Sequence, residues 1–153
     1  MTLQVSTKYK ELILGPTSFA QIFDQGYIAL FTGIQPPSAD HPITGTYLGD
    51  ITTSGMPWTA GSSAGGLHFE QSGPWISKRS SDAWRLTVFN AGIAGWFRLF
   101  ARGADDGSLS YNAPRIDGSV GLSSTNLVLS STALVEGPSH YIQQWLYTIP
   151  PVV

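Results

Sequence analysis

Two neighbouring stretches near the middle of the chain carry the alternation of large apolar and smaller or polar residues that is typical of β-strands. Residues 84–89 read WRLTVF and residues 94–101 read AGWFRLFA, with a turn signal, Asn90-Ala91-Gly92, between them. This pattern predicts a β-hairpin whose second strand is covered on both faces. We expect one face to bury Trp84, Leu86, Val88, Phe97 and Leu99 and the opposite face to bury Trp96 and Phe100.

Further strand candidates follow one another along the rest of the chain. They lie at residues 27–31, 46–53, 67–69, 126–130 and 141–149. Turn signals separate them, at 103–107 and at the Asp117-Gly118 pair among others. Arg98 shares a face with Trp96 and Phe100, so it needs a carboxylate or carbonyl partner, or a route to solvent. The chain is therefore predicted to be mostly β, an antiparallel β-sandwich with the jelly roll as one form it could take.

The first 25 residues carry helix signals instead. Ser6 or Thr7 can cap a short helix that ends at Gly15, and a second helix is predicted from about Pro16 to Gln25. Phe19, Ile22 and Phe23 lie at positions i, i+3 and i+4 and form one apolar face. That face docks either on the chain's own core or on a neighbouring subunit. We divide the chain into an N-terminal helical docking segment, 1–25, and a β-sandwich domain, 26–153.

Composition excludes several classes of protein. Of the 153 residues only 12% are charged, against 42% hydrophobic, which argues against disorder. The net charge is −2 and there is no basic stripe, so we expect no nucleic-acid partner. There is no cysteine, no apolar run long enough for a membrane span, and no recognisable export signal. Sparse charge indicates either a surface covered by partners or one solvated by Ser, Thr, Gln and Asn.

No pattern of catalytic or metal-binding residues emerges, so we expect no catalytic site, no metal and no cofactor. His41, His68 and His140 are not at ligand spacing from one another. The stretch 61–65, GSSAG, matches G-x-S-x-G but lacks the preceding strand and following helix of a nucleophile elbow. The pair Asp105-Asp106 reads by default as a solvated turn, because no bidentate Glu follows at calcium-loop spacing.

Two tryptophans in loop-like segments are candidate contact residues. Trp58 lies in the flexible-looking loop 54–66, and Trp75 follows a Gly-Pro pair. Exposed aromatic rings on a β-sandwich can stack on pyranose rings. Packing in the core or against another subunit is the alternative. With the helix face, the candidate interface residues are Phe19, Ile22, Phe23, Trp58 and Trp75.

Three stretches together resemble a known family. Residues 26–51 run GYIALFTGIQPPSADHPITGTYLGDI, 91–99 run AGIAGWFRL, and 115–137 run RIDGSVGLSSTNLVLSSTALVEG, with a final W-x-Y-T-I-P strand at 145–150. This cadence resembles a family of small structural proteins encoded by tailed bacteriophages and prophages. The resemblance implies a virion component, made in the host cytoplasm, and brings no catalytic residues with it.

Three functions remain open at this level. The first is a non-enzymatic virion protein, either a capsid decoration or minor capsid protein that binds the major capsid shell, or a neck, collar or tail-attached protein. The second is a carbohydrate-binding receptor module, and the third is an enzyme. We expect a homo-oligomer whose partners are copies of itself and the major capsid protein or another virion protein, with residues 1–25 and the loop 54–66 in the contacts.

Overall fold

The computed structural model describes residues 3–61, 64–142 and 145–148. Within these residues there are two helices, α1 (Thr7–Leu14) and α2 (Phe19–Phe23). The strands described are β1 (Gln4–Val5), β2 (Tyr27–Thr32), β3 (Tyr47–Thr52), β4 (Phe69–Ser72), β5 (Trp75–Lys78), β6 (Trp84–Val88), β7 (Gly92–Phe100), β8 (Arg115–Gly121), β9 (Leu127–Val128), β10 (Ala133–Leu134), β11 (Gly137–Ile142) and β12 (Leu146–Thr148). The prediction of a mostly β chain with two short N-terminal helices is confirmed.

The strands form two sheets. The large sheet has the order β1-β8-β7-β2-β3-β6-β11, with β10 paired to β7 and β9 to β8, and the small sheet has the order β12-β5-β4. The pairings are antiparallel apart from β8–β9, which is parallel. The small sheet and the helices pack on one face of the large sheet, as in a β-sandwich. We call this the inner face and the opposite one the outer face.

The predicted hairpin is wrong in its pairing, although both of its strands exist. β6 and β7 are separated by β2 and β3, since β3 pairs with β6 and β2 pairs with β7. The spatial order β7-β2-β3-β6 is that of a Greek key, with the small-sheet strands β4 and β5 inserted before β6. The turn signal at 90–92 marked a change of direction correctly. It carried no information about which strand would be the neighbour.

The predicted Asp117-Gly118 turn is also wrong. Both residues lie inside β8, and Gly118 is opposite Phe97 of β7. A Cβ atom at Gly118 would stand 2.6 Å from the Phe97 ring. The glycine therefore allows an aromatic ring to approach the strand closely. In the sequence, a glycine with this role looks the same as the glycine of an Asp-Gly turn.

The C-terminal strand differs from its prediction as well. Instead of one strand over 141–149, β11 ends at Ile142 in the large sheet and β12 begins at Leu146 in the small sheet. The chain thus contributes to both layers. Of the predicted strand residues, Gln143, Gln144 and Ile149 lie outside the described residues.

The N-terminal region packs as part of the same core. Ser6 caps α1 as predicted, through its side chain and the Tyr9 N–H, and its Oγ also accepts the Arg115 N–H of β8. α2 begins later than predicted, at Phe19, behind a capping box between Ser18 and Gln21. With β1 paired to β8, residues 3–25 complete the sandwich and do not form a separate unit.

The predicted core is confirmed on both faces. The inner cluster contains Trp84, Leu86, Val88, Phe97 and Leu99, and the outer cluster contains Trp96 and Phe100 together with Ala29 and Phe31. Strand β7 is therefore covered on both sides, as its sequence predicts.

Candidate functional site

A groove opens where the helices meet the small sheet. Strands β4 and β5 form a tight hairpin through Gly73, whose φ of +60° lies in the left-handed region, and Pro74. The hairpin places Trp75 next to both helices, around a cavity of about 280 Å³. The lining residues of this groove, which we call the Trp75 groove, are Tyr9, Ile13, Ser18, Phe19, Gln71, Gly73, Pro74, Trp75, Ile76 and Tyr147.

The Trp75 groove is aromatic, and none of the lining side chains that the structure describes is charged. Trp75 is 44% exposed, whereas Phe19 is buried in the groove wall. The hydroxyls of Tyr9 and Tyr147 are 3.2 Å apart and hydrogen-bond each other. Burial, and then the hydrogen bond to Tyr147, raise the pKa of Tyr9, so its phenol stays protonated. Such a groove suits an uncharged apolar group with one or two hydrogen-bonding atoms.

The helix face predicted as a contact surface belongs to the core. Phe19, Ile22 and Phe23 are 4%, 9% and 0% exposed. Phe19 packs edge-on against Phe69 of the small sheet at 5.3 Å, and Phe23 stacks on Tyr9 of α1 at 5.7 Å. Of the two alternatives left open by the sequence, docking on the chain's own core is the one observed. The interface hypothesis for these three residues is thereby corrected, because a partner cannot reach side chains that are already covered.

Trp58 is half-buried, although the sequence placed it in a flexible-looking loop. Its ring stacks on Tyr27 at 4.5 Å, and its Nε1–H donates to the carbonyl oxygen of Gln25 at 3.0 Å. Tyr27 stacks with its other face on Phe100 at 4.9 Å. Because Tyr27 belongs with the outer cluster, Trp58 lies over the outer face, and the structure does not bring it together with Trp75.

A second concavity, which we call the outer cleft, lies on that outer face. Its volume is about 230 Å³. Its lining residues are Tyr27, Ala29 and Phe31 of β2, Tyr47 of β3, Phe100 of β7, and Ile43, Gly45, Asp105 and Asp106 of the covering loops. These β2 residues face outward because the intervening Ile28 and Leu30 belong to the inner core.

Two buried ion pairs hold the loops over the outer face. Arg98 donates from Nε and Nη2 to the two carboxylate oxygens of Asp117 at 2.7 and 2.8 Å, and from Nη2 to the His41 carbonyl at 3.0 Å. Arg115 makes the same bidentate contact with Asp105, since its Nε and Nη2 donate to the two carboxylate oxygens at 2.8 and 2.6 Å. Arg98 therefore has both a carboxylate and a carbonyl partner, the two kinds of partner that its position in the sequence predicts.

The expectation of a solvated turn at Asp105-Asp106 is half right. Asp105 is engaged by the fully buried Arg115, so it is structural rather than solvated. Asp106 is exposed and accepts from the backbone N–H and hydroxyl of Ser108. Those two hydrogen bonds lower the pKa of Asp106.

Asp50 is a feature of the outer face that the sequence interpretation missed. It is 6% exposed and lies directly opposite Ala29, the floor of the outer cleft. Burial raises its pKa to about 6, although hydrogen bonds from the Tyr47 side chain and the Trp58 backbone act to lower it. Within the described residues it has no cationic partner, and its Oδ1 has no hydrogen bond. An acid within the predicted strand 46–53 was the only signal available.

No protein-family profile matches the sequence, and no curated protein and no solved structure matches it either. The Trp75 groove and the outer cleft are therefore the features of the chain that bear on its function.

The remaining motifs form no further site in the described part of the chain. His68 pairs through Nδ1 with Asp82 at 3.0 Å, and Arg79 binds the other oxygen of that carboxylate at 2.9 Å. Among residues 3–61, 64–142 and 145–148 no three His, Asp or Glu side chains gather in a metal-binding arrangement. The same residues contain no helix with the length and apolarity needed to cross a membrane. Ser62 and Ser63 of the G-x-S-x-G stretch lie outside the described residues.

Proposed function

We propose that this chain is a non-enzymatic structural protein of a tailed-bacteriophage particle, a capsid decoration or minor capsid protein. It attaches to the major capsid protein through the Trp75 groove. The sequence cadence supports the phage assignment, and the groove supports attachment. The protein is made in the host cytoplasm and ends in the virion, where copies of it occupy repeated sites.

The observation that carries attachment is the exposure of Trp75 over an uncharged aromatic groove. Tryptophan and tyrosine are enriched at the centres of protein interfaces, where a few large side chains supply most of the binding energy. Trp75 is 44% exposed, and the other aromatic rings that line the groove, those of Tyr9, Phe19 and Tyr147, are buried beside it. A partner that covers the Trp75 ring removes apolar surface from water without burying a charge.

The groove chemistry also supports a binding role over a catalytic one. Among the described residues that line it there is no carboxylate, histidine, lysine or arginine. Acid–base catalysis near neutral pH needs a group that titrates there. Burial raises the pKa of the Tyr9 hydroxyl, away from that range.

The test uses shells assembled from the major capsid protein encoded in the same genome. We expect the full-length chain to co-sediment with these shells, and Trp75→Ser to reduce bound protein at least tenfold. Tyr111→Ser is the matched control, because Tyr111 is a similarly exposed aromatic residue, at 58%, outside the groove. Both variants should keep the wild-type circular dichroism spectrum.

Equal binding by wild type and Trp75→Ser would contradict attachment through the groove. Binding to an isolated neck, collar or tail protein, with no binding to shells, would instead assign the protein to the neck or tail of the particle. Sedimentation velocity on the free chain measures its self-association independently of the shell.

A carbohydrate-binding receptor module is the second candidate. The exposed indole of Trp75 favours it, since a free aromatic face is what a pyranose ring stacks on. Glycan-array signals that are lost in Trp75→Ser and kept in Tyr111→Ser would establish this role in place of shell attachment.

A further inference from the structure

We propose that residues 149–153 of this chain lie in the Trp75 groove of the free protein and must leave it before a partner can bind there. The first half of this inference concerns the isolated chain, and only the second half rests on the proposed function. Three observations support it: the point at which β12 ends, the composition of the segment, and the uncharged side chains described in the groove wall.

The end of β12 lies at the groove. β12 runs antiparallel to β5 and ends with Thr148 opposite Trp75. Thr148 is the last residue that the structure describes, and the next position along β5 is Pro74, which lines the groove. A chain that continues in this register therefore enters the groove directly. Five extended residues span about 16 Å, which is about twice the diameter of a sphere with the groove's volume of about 280 Å³.

The alternation of side chains along a strand sets the side from which the segment approaches. Tyr147 of β12 lines the groove together with Ile76, its direct neighbour on β5. Position 149 follows Tyr147 by two residues, so a strand extended to Ile149 presents that side chain to the groove as well. Pro150 cannot donate to a sheet, which is tolerated here because β12 is an edge strand of the small sheet. The Pro150-Pro151 pair then favours an extended polyproline II conformation.

The segment and the groove match in chemistry. Residues 149–153 read Ile-Pro-Pro-Val-Val, and none of these side chains is charged or polar. The described residues that line the groove are likewise uncharged, and the Trp75 ring is 44% exposed. Proline-rich segments dock in grooves lined by aromatic residues, because their conformation is preformed and little entropy is lost on binding. Docking here removes apolar surface from water on both sides without burying a charge.

Attachment to the same chain favours this segment over other occupants. It is joined directly to β12, so its effective concentration at the groove is on the order of millimolar or higher. The same segment of another copy competes only when that copy reaches a similar concentration. An occupied groove reduces the apparent affinity for a capsid partner in proportion to the fraction of molecules whose groove is open. The segment therefore acts as a competitor of the partner and sets how strongly the free chain binds.

The experiment measures whether the segment blocks the groove in the full-length chain. The probe is the uncharged peptide acetyl-Ile-Pro-Pro-Val-Val-amide, titrated while the indole N–H signal of Trp75 is followed by NMR. We expect this peptide to bind the double variant Pro150→Gly/Pro151→Gly at least tenfold more tightly than wild type, because glycine removes the rings that compete for the groove. Val135→Ser is the control, since Val135 is 68% exposed and does not line the groove, and it should bind the peptide as weakly as wild type.

A second variant and a second peptide make the test specific. Val152→Asp brings a carboxylate to a groove whose described lining has no cation, so it should also open the groove and raise the affinity for the peptide at least threefold. The peptide acetyl-Ile-Gly-Gly-Val-Val-amide should bind the double-glycine variant at least tenfold more weakly than the proline peptide does. Adding Trp75→Ser to that variant should lower the affinity for the proline peptide to the same level.

Three results would overturn the occupancy of the groove by this segment. They are equal affinity of the proline peptide for wild type and both variants, failure of the peptide to bind either variant, and NMR shifts confined to residues outside the groove. Both variants alter positions beyond Thr148 and should keep the wild-type circular dichroism spectrum; if one does not fold, the other decides.

The peptide titrations involve no capsid shell, so their outcome does not depend on the proposed function. If the groove also attaches the chain to shells, the double-glycine variant should bind them at least threefold more tightly than wild type. Peptide competition without any binding to shells would refute attachment alone, and binding to shells with no peptide competition would refute the role of residues 149–153 alone.

Discussion

The two faces of the large sheet are covered in different ways. On the inner face, regular elements pack apolar side chains against β2 and β7, with Phe23 of α2 and Phe69 of β4 among them. On the outer face the apolar cluster is small, and the rest of the cover comes from loops around residues 39–43 and 105–108. One face is held by hydrophobic burial, and the other largely by hydrogen bonds and charge.

The arginines explain how loops can cover a sheet at all. Buried loop backbone needs hydrogen-bond partners that it cannot obtain from a neighbouring strand. Arg98 supplies a donor to the His41 carbonyl, and Arg115 supplies donors to the carbonyls of Ala39 and Ser108. Each arginine therefore satisfies a loop from within the sheet while its own charge is balanced by an aspartate.

The largest effect is expected from breaking one of these pairs. Arg98→Ala leaves Asp117 buried and unpaired and removes the donor to His41, so we expect a loss of about 3–5 kcal/mol in the free energy of unfolding. Urea denaturation at pH 7 measures it. Burial already raises the pKa of Asp117 against the attraction of Arg98, which shows how strongly this site disfavours an uncompensated charge.

The matched control removes both charges. Arg98→Met combined with Asp117→Leu leaves no buried ion, and we expect it to recover at least half of the stability lost in Arg98→Ala. A double variant as unstable as the single one would mean that the ion pair itself, rather than the cost of an orphaned charge, holds the outer face.

The inner face should respond to loss of packing instead. Leu99 is fully buried and lies opposite Ile28 on one side and Ile116 on the other. Leu99→Ala should cost about 2–5 kcal/mol, with no added dependence on pH or salt. Leu109→Ala is the control, since Leu109 is 53% exposed and its truncation should change stability by less than about 0.5 kcal/mol. A Leu99→Ala effect as small as that would remove Leu99 from the core.

The same contrast explains what could be predicted from sequence. The inner face follows from periodicity, so the buried residues of β6 and β7 were identified correctly. Strand neighbours depend on contacts distant in sequence, and the hairpin prediction failed for that reason. On the outer face, Asp117 resembled a turn residue and Asp105 a solvated one, because a lone aspartate does not reveal a partner arginine on another element.

The candidate site was only partly predictable. Trp75 was identified as an aromatic residue in a segment interpreted as a loop, whereas the structure places it in β5 directly after the turn of the β4–β5 hairpin. The groove around it needs Tyr9 and Tyr147, which are 138 residues apart, so no local pattern could have joined them. Asp50 was passed over because a strand prediction for residues 46–53 does not show that an acid within the strand will be buried.

The smallest effect is a dependence on pH that arises from Asp50 on the outer face. The pKa of Asp50 is raised by burial from 3.8 to about 6, so between these values the folded state binds more protons than the unfolded state. The contribution of Asp50 to the stability of the wild type therefore falls as pH rises from about 4 to about 6, and this loss persists above that range. A shift of this size corresponds to about 1–3 kcal/mol. Asp50→Asn removes the titrating group, so its stability relative to wild type should increase by that amount between pH 4 and pH 8, as measured by urea denaturation. Asp24→Asn, at an exposed position, should show no such increase. A flat difference for Asp50→Asn would mean that Asp50 is compensated in solution, and that the outer face is less dependent on charge than its contacts indicate.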